Sequence, residues 1–272
     1  MPPRISNGFA PVALLALAGL STPAAAEVPQ GFDLSFQIYS HKYQEQVGGA
    51  FFMSNEGPFG GVGVDYTKKL EGDIYFRGST SLAYGSVDYT GSGTIGGTPN
   101  YTLILEGRLG REFAVTDAFS VAPWAGLGYR MHYDDKGGEI TSTGFFGYDR
   151  KSQYIYLPFA VTLDYRANSE WSLTPEFAYR LLLKGTQTSY MSDFSPACTD
   201  LENSQKSGYG LSAALNARTT IGQTPVTFGP FIRYWDIAES DIGIFSCGGT
   251  LFAGVEPDNT TTEIGIAVSL HY

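Results

Sequence analysis

The feature that most limits what this chain can become is a period-two alternation in which apolar residues take one parity and charges take the other. The last residues, TTTEIGIAVSLHY, show the form: Ile264, Ile266, Val268, Leu270 and Tyr272 alternate with Glu263, Gly265, Ala267, Ser269 and His271. Nine earlier segments repeat it, at 32–38, 61–67, 73–85, 100–110, 118–133, 153–165, 171–183, 208–221 and 225–236. Alternation of this length is a strand signal, because successive side chains of a strand point to opposite faces. Ten strands with no helical segment between them imply an antiparallel all-β fold. Eight or twelve strands stay open, since 45–54 (EQVGGAFFMS) fits either a strand extension or a hairpin.

The complementary parity decides which way the apolar face points. It carries Asp33, Asp65, Arg77, Glu106, Arg108, Arg130, Asp164, Glu176, Arg180, Arg218, Arg233 and Glu263, at or near mid-strand. In a soluble sandwich such charges would face water and the apolar side would face a core. In a membrane barrel a cation on the lipid face costs about 2–4 kcal/mol near the bilayer midplane, and an acid somewhat less. The charges are therefore expected inside a lumen, where opposite signs offset one another. The joins favour the barrel. Those at 68–72, 111–117, 166–170 and 222–224 are short; those at 39–60, 86–99, 134–152, 184–207 and 237–259 are long and polar. Such alternation puts the short turns at one end and the long loops at the other, as in outer-membrane barrels. Tyr66, Tyr129, Tyr133, Tyr165, Trp171, Tyr209 and Tyr234 fall near the ends of the apolar face, where interfacial rings are expected.

The chain opens MPPRISNGFAPVALLALAGLSTPAAAE, with Arg4, an apolar run from Phe9 to Leu20, and Ala24-Ala25-Ala26. This is the layout of a secretory signal peptide, with cleavage expected after Ala26 and a barrel domain over 27–272. No apolar run is long enough for a membrane-spanning helix. A net charge of −10 argues against a nucleic-acid partner, which would need a basic surface. Cys198 and Cys247, the two cysteines, fall in two long joins at the same end, and export makes a disulfide between them the expected state. They lack the spacing and histidine partners of a zinc site, and no cofactor is expected.

With the leader, the ten strands, the asymmetric joins and the terminal Tyr272 in place, the chain resembles Gram-negative outer-membrane β-barrel proteins. YIYLPFAVTLDY, KGTQTSYMSD and GPFIRYWDI are similar to segments of uncharacterised porin-like members. The resemblance implies outer-membrane lipid and lipopolysaccharide as surroundings, with Tyr272 as part of the signal read by the barrel-assembly machinery. It leaves activity open. Two readings of the lumen compete, a small aqueous pore and an interior filled by Arg–carboxylate pairs; the narrow bore of ten strands favours the second. A hydrolase is the alternative class. Omptin proteases are also ten-stranded and use Asp and His at the extracellular rim, where this chain offers His41 and the MHYDD stretch with His132, Asp134 and Asp135. The order here is His-x-Asp rather than Asp-x-His, and no second acidic pair is evident. Lipid-A deacylases use Ser, His and Glu near the last strands, but His271 falls at the periplasmic end. No catalytic residue and no metal ligand is nominated. The loop acids Glu45, Glu56, Asp134, Asp135, Glu139, Asp193, Asp200, Glu202, Glu239, Asp241, Glu256 and Asp258 read as solubilising surface charge. Long surface loops on a rigid barrel are also where adhesion or receptor binding would sit, so a loop-mediated adhesin is a further alternative, and the identity of any small solute or surface ligand stays open.

Overall fold

The computed structural model describes residues 28–272, so the leader assigned to 1–26 lies outside the described residues. In chain order the strands are β1 (Gly31–Val47), β2 (Ala50–Lys69), β3 (Ile74–Gly91), β4 (Gly93–Arg111), β5 (Phe113–Thr116), β6 (Phe119–Asp134), β7 (Arg150–Arg166), β8 (Ser172–Ser189), β9 (Leu201–Gln205), β10 (Gly208–Ile221), β11 (Thr224–Ile237), β12 (Gly243–Cys247), β13 (Thr250–Gly254) and β14 (Asp258–His271). A short α-helix, α1 (Met191–Phe194), precedes β9. Ten strands close into an antiparallel ring in the order β14-β1-β2-β3-β4-β6-β7-β8-β10-β11, and β11 returns to β14. The strand β9 extends the upper part of β8, β5 pairs with the start of β6, and β12–β13 forms a separate hairpin.

The outward parity is the apolar one. Leu127 is 56% exposed, Leu215 52% and Ile266 53%, values that make sense only against hydrocarbon. Two bands of aromatic rings bound this belt. Phe32–Tyr66 (4.8 Å) and Trp171–Phe228 (6.2 Å) lie at the end of the short turns. Tyr84–Tyr101–Tyr133 and Tyr179–Tyr209–Tyr234 run across adjacent strands at the other end. Among the described residues no helix is long and apolar enough to cross a membrane; the strands do that work.

Two of the expected long loops are not loops. The segment 39–60 is continuous strand turned by Gly48 (φ 57°) and Gly49 (φ 80°), the positive-φ pair that a two-residue hairpin needs. Segment 86–99 is likewise strand on both sides of Ser92. The physical reason is a change of solvent. Beyond Ile38 the outward positions of β1 become Ser40, Lys42 and Gln44, while Tyr39, His41, Tyr43 and Glu45 turn inward and are buried. The strand continues, but it has left the membrane, so its outer face turns polar. A membrane crossing takes about 9–11 residues; β1 to β4 have 17 to 20. The hairpin at 45–54 thus lengthens two barrel strands and leaves the ring at ten.

Inside, large rings lie over glycines that face them across the ladder. Tyr156 covers Gly128, Phe59 covers Gly85 and Tyr75 covers Gly110. At Gly128 a Cβ would stand 2.2 Å from the Tyr156 ring, so only the missing side chain lets this aromatic lie flat on its neighbour. Gly128→Val should lose about 1–3 kcal/mol of stability by overpacking, read as a lower urea midpoint in detergent. On the outer wall Leu105→Arg should cost about 2–4 kcal/mol. Little change in midpoint for the arginine would mean that Leu105 does not face lipid.

Candidate functional site

The lumen concentrates the buried polar chemistry of the described residues, and it is layered. At the periplasmic end Arg77 of β3 reaches Asp33 of β1 (2.8 Å) and Asp65 of β2 (3.4 Å). Arg180 of β8 pairs with Glu106 of β4 (3.1 Å), Arg218 of β10 with Asp164 of β7 (2.8 Å), and Arg108 of β4 stands 3.7 Å from Glu176 of β8. His271 lies here too, 3.0 Å from Asp33. Higher up, Glu263 of β14 receives Arg130 of β6 at 3.3 Å and Arg233 of β11 at 3.0 Å. The twelve charged positions selected from alternation thus all lie inside, in five groups of opposite sign. Arginine suits them because its planar fork holds two oxygens at once in a confined space.

Above this level the lumen is packed by rings. Tyr154, Tyr156, Leu182, Trp235 and Ile237 form one buried cluster, and Tyr39, Phe59, Ala83 and Val87 form another. His41 and His132 stack face to face at 4.9 Å within it. Sequence reasoning placed both histidines at the extracellular rim, and the structure moves them: β1 and β6 run on above the membrane, which puts the imidazoles deep in the lumen and out of solvent. Both ring nitrogens of His132 are engaged, Nδ1 with Thr102 Oγ1 (3.0 Å) and Nε2 with Asn100 Oδ1 (2.8 Å). Asp134 is turned away to Asn55, Asn100 and Lys136. A general base oriented by a carboxylate is therefore not assembled around His132.

The top layer was not foreseen. Glu45 of β1, Glu256 of the segment between β13 and β14, and Arg150 of β7 are all buried, although the two acids read as surface loop charge in the sequence. Arg150 pairs with both carboxylates. The Tyr43 hydroxyl lies 2.9 Å from Glu45 Oε1 and 2.8 Å from Glu256 Oε1. Asp134 and Lys136 (2.7 Å) form a second buried pair close by. The missed signal was Tyr39-x-His41-x-Tyr43-x-Glu45, an alternation with amphipathic rather than apolar members. Over this layer fold the extracellular joins. Cys198, after α1, and Cys247, at the end of β12, are joined by a disulfide, which ties the β8–β9 join to the β12–β13 hairpin. For a separation of 49 residues such a link removes about 4 kcal/mol of unfolded-chain entropy in the loop-closure account. Among the described residues no group of three or more His, Cys, Asp or Glu is placed to hold a metal ion.

Two acids on one arginine make the top latch sensitive to pH. Burial pushes Glu256 up to about 8, Arg150 opposes the rise, and Glu45 beside it adds to it. Its folded value lies above the ordinary 4.5, so the folded state holds the proton more tightly than the unfolded chain. The latch is thus strongest in acid, weakens as pH climbs from about 4.5, and has lost this contribution above about 8. Amide exchange in 238–257, corrected for intrinsic rates, should be faster at alkaline than at mildly acidic pH, and Glu256→Gln should flatten the difference. An unchanged pH profile in the glutamine variant would remove Glu256 as the cause.

No protein-family model matches the chain, and no curated protein does. Among solved structures the chain is similar to the outer membrane protease OmpT from Escherichia coli, with a TM-score of 0.62 at 12% identity over 93% of this chain and 100% of that one. More distant are an outer membrane channel from Pseudomonas putida F1 (TM-score 0.39, 10% identity, 93% of this chain and 100% of that one) and Neisserial surface protein A (0.37, 11%, 89% and 98%). At these identities the likeness concerns the fold alone. With its apolar belt, paired aromatic bands and closed antiparallel ring, the chain has the fold of a membrane-spanning β-barrel, and shares that fold with these outer-membrane proteins.

Proposed function

We propose that the protein is a non-enzymatic, sealed outer-membrane scaffold that presents its extracellular loops and conducts no solute at rest. One observation carries this reading. The ion pairs of the upper lumen cross its full width: Arg130 of β6 and Glu263 of β14 sit on strands five places apart in a ring of ten, as do Arg150 of β7 and Glu45 of β1. Opposite walls held at hydrogen-bonding distance leave no continuous aqueous path at that height. The rings of Tyr156 and Trp235, 5.1 Å apart, fill the space beside them. A passage would require breaking buried pairs, and removing one partner of such a pair costs about 3–5 kcal/mol.

The non-enzymatic half of the reading rests on the same burial. His132, the best general-base candidate in the sequence, spends both nitrogens on Thr102 and Asn100 in a closed layer. What the barrel does offer outward is a crown: Phe51 and Phe52 on the β1–β2 hairpin, Phe145 and Phe146 on the β6–β7 join, and Leu251 on the β12–β13 hairpin are exposed above the belt. Lipid and lipopolysaccharide surround the wall below it. Tyr272 serves, in this reading, as the address for barrel assembly; it is exposed, and its N–H and C=O bond to Phe32 (2.8 and 2.9 Å), so the address and the closing seam coincide.

Purified protein in planar bilayers should give no single-channel steps at neutral pH, whereas Tyr156→Ala combined with Trp235→Ala and Arg130→Ala should give measurable ones. Steps from the unaltered protein would refute the sealed reading.

A further inference from the structure

Below the packed layers the lumen opens into a bowl at the periplasmic end, with a cavity of about 350 Å³. The void has a cause in sequence. On one side β3, β4 and β8 send long charged arms inward, among them Arg77, Arg108 and Arg180; on the other, β10 and β14 supply the small residues Ser212, Ala214, Ala267 and Ser269, with Asn216 and Arg218 of β10 below them. A lumen meant only to be filled would place large residues opposite small ones, as the glycine–aromatic pairs do higher up. Here the small wall faces arms of which all but Arg108 are drawn aside to their own acids, so the protein's side chains leave the bowl open.

The lining of the bowl holds five guanidinium groups and three carboxylates, and three further acids, Glu106, Asp164 and Glu263, pair with these arginines from just outside it. Most of these arginines are satisfied by an acid within hydrogen-bonding reach: Arg77 by Asp33, Arg180 by Glu106, Arg218 by Asp164 and Arg233 by Glu263. Arg108 is different. Its nearest carboxylate oxygen, on Glu176, is 3.7 Å away and already accepts a hydrogen bond from the Thr162 hydroxyl. The Arg108 Nε has no hydrogen-bond partner and is buried. The guanidinium carbon sits 4.4 Å over the Trp124 ring, which fixes the plane of the fork without using its N–H groups. Arg77 stands directly across the ladder from Arg108, and its Nε too is without a partner. A second cavity of about 70 Å³ adjoins and shares Arg77, Arg108 and Arg218 with the bowl.

A held, under-used guanidinium beside a second one, at the edge of a polar void, is a receptor for a planar or tetrahedral oxyanion. Such groups take two parallel N–H···O bonds from one arginine. We propose that the periplasmic bowl is a binding site for a small molecule bearing a carboxylate or phosphate group, seated on Arg108 with Arg77 beside it and the serines of β10 and β14 around the remainder. The cavity limits the ligand to small-metabolite size, and its opening restricts access to the periplasmic side. The site does not depend on whether the barrel conducts.

The test is calorimetric titration of the detergent-purified barrel with inorganic phosphate and, separately, with succinate, followed in parallel by tryptophan emission, with a Trp124→Phe variant to identify the share that comes from Trp124. At least one anion should bind saturably and perturb that emission, and which one does distinguishes a phosphoryl from a carboxyl ligand. Arg108→Gln should weaken binding at least about tenfold, a difference of about 1.4 kcal/mol, with Arg108→Lys intermediate. Ala214→Leu, which leaves every charge in place and fills the bowl from its small wall, should abolish binding while the barrel keeps its heat-modifiable migration. No saturable binding of either anion, or binding that survives both Arg108→Gln and Ala214→Leu, overturns the proposal.

Discussion

Twelve charges turned to hydrocarbon, at about 2–4 kcal/mol for each cation and somewhat less for each acid, would together cost more than a typical protein's whole margin of stability, and every other feature of this barrel is arranged around that fact. With twelve charged side chains at or near mid-strand, a fold that turned them outward would not insert. Turning them inward forces closure, because an open sheet in lipid leaves ladder groups unpaired at its edges. Closure at ten strands makes the interior narrow, and the narrow interior brings opposite charges within reach. Arg130 and Glu263 meet across the whole bore for this reason. The pairing is a solution to placement rather than a source of net stability, since buried pairs often do no better than apolar packing.

The same narrowness separates the lumen into floors with different chemistry. Where the facing residue is glycine, a ring lies down and the level is dry, as at Tyr156 on Gly128. Where the facing residues are serine and alanine and the arms are arginine, the level stays open, as at Arg108. The choice between sealed and hollow is made level by level by the size of the inward residue, independently of the outer face.

The belt was legible in the sequence because the bilayer imposes a two-valued code on it: Leu127, Leu215 and Ile266 are readable without any knowledge of partners. The disulfide was legible from two cysteines and a compartment. What escaped was the packed lumen above the belt. Beyond Ile38 water lies outside and a packed lumen inside, so Tyr43 and Glu45 turn inward while Lys42 turns outward, and a polar–polar alternation looks like loop. For that reason Glu45 and Glu256 read as surface charge and His132 as a rim residue, when all are buried. The short strands β5, β9, β12 and β13 were absorbed into joins because four or five residues give too few repeats to show a period.

The strands that outlast the bilayer set how far the molecule reaches. From Ser40 to Val47 the chain climbs as paired strand, and eight extended residues rise about 26 Å. A flexible tether of the same length would wander over about 14–17 Å. The first two hairpins therefore stand as a fixed parapet, so that whatever approaches from outside meets Phe51 and Phe52 at a defined height rather than at the end of a swinging thread.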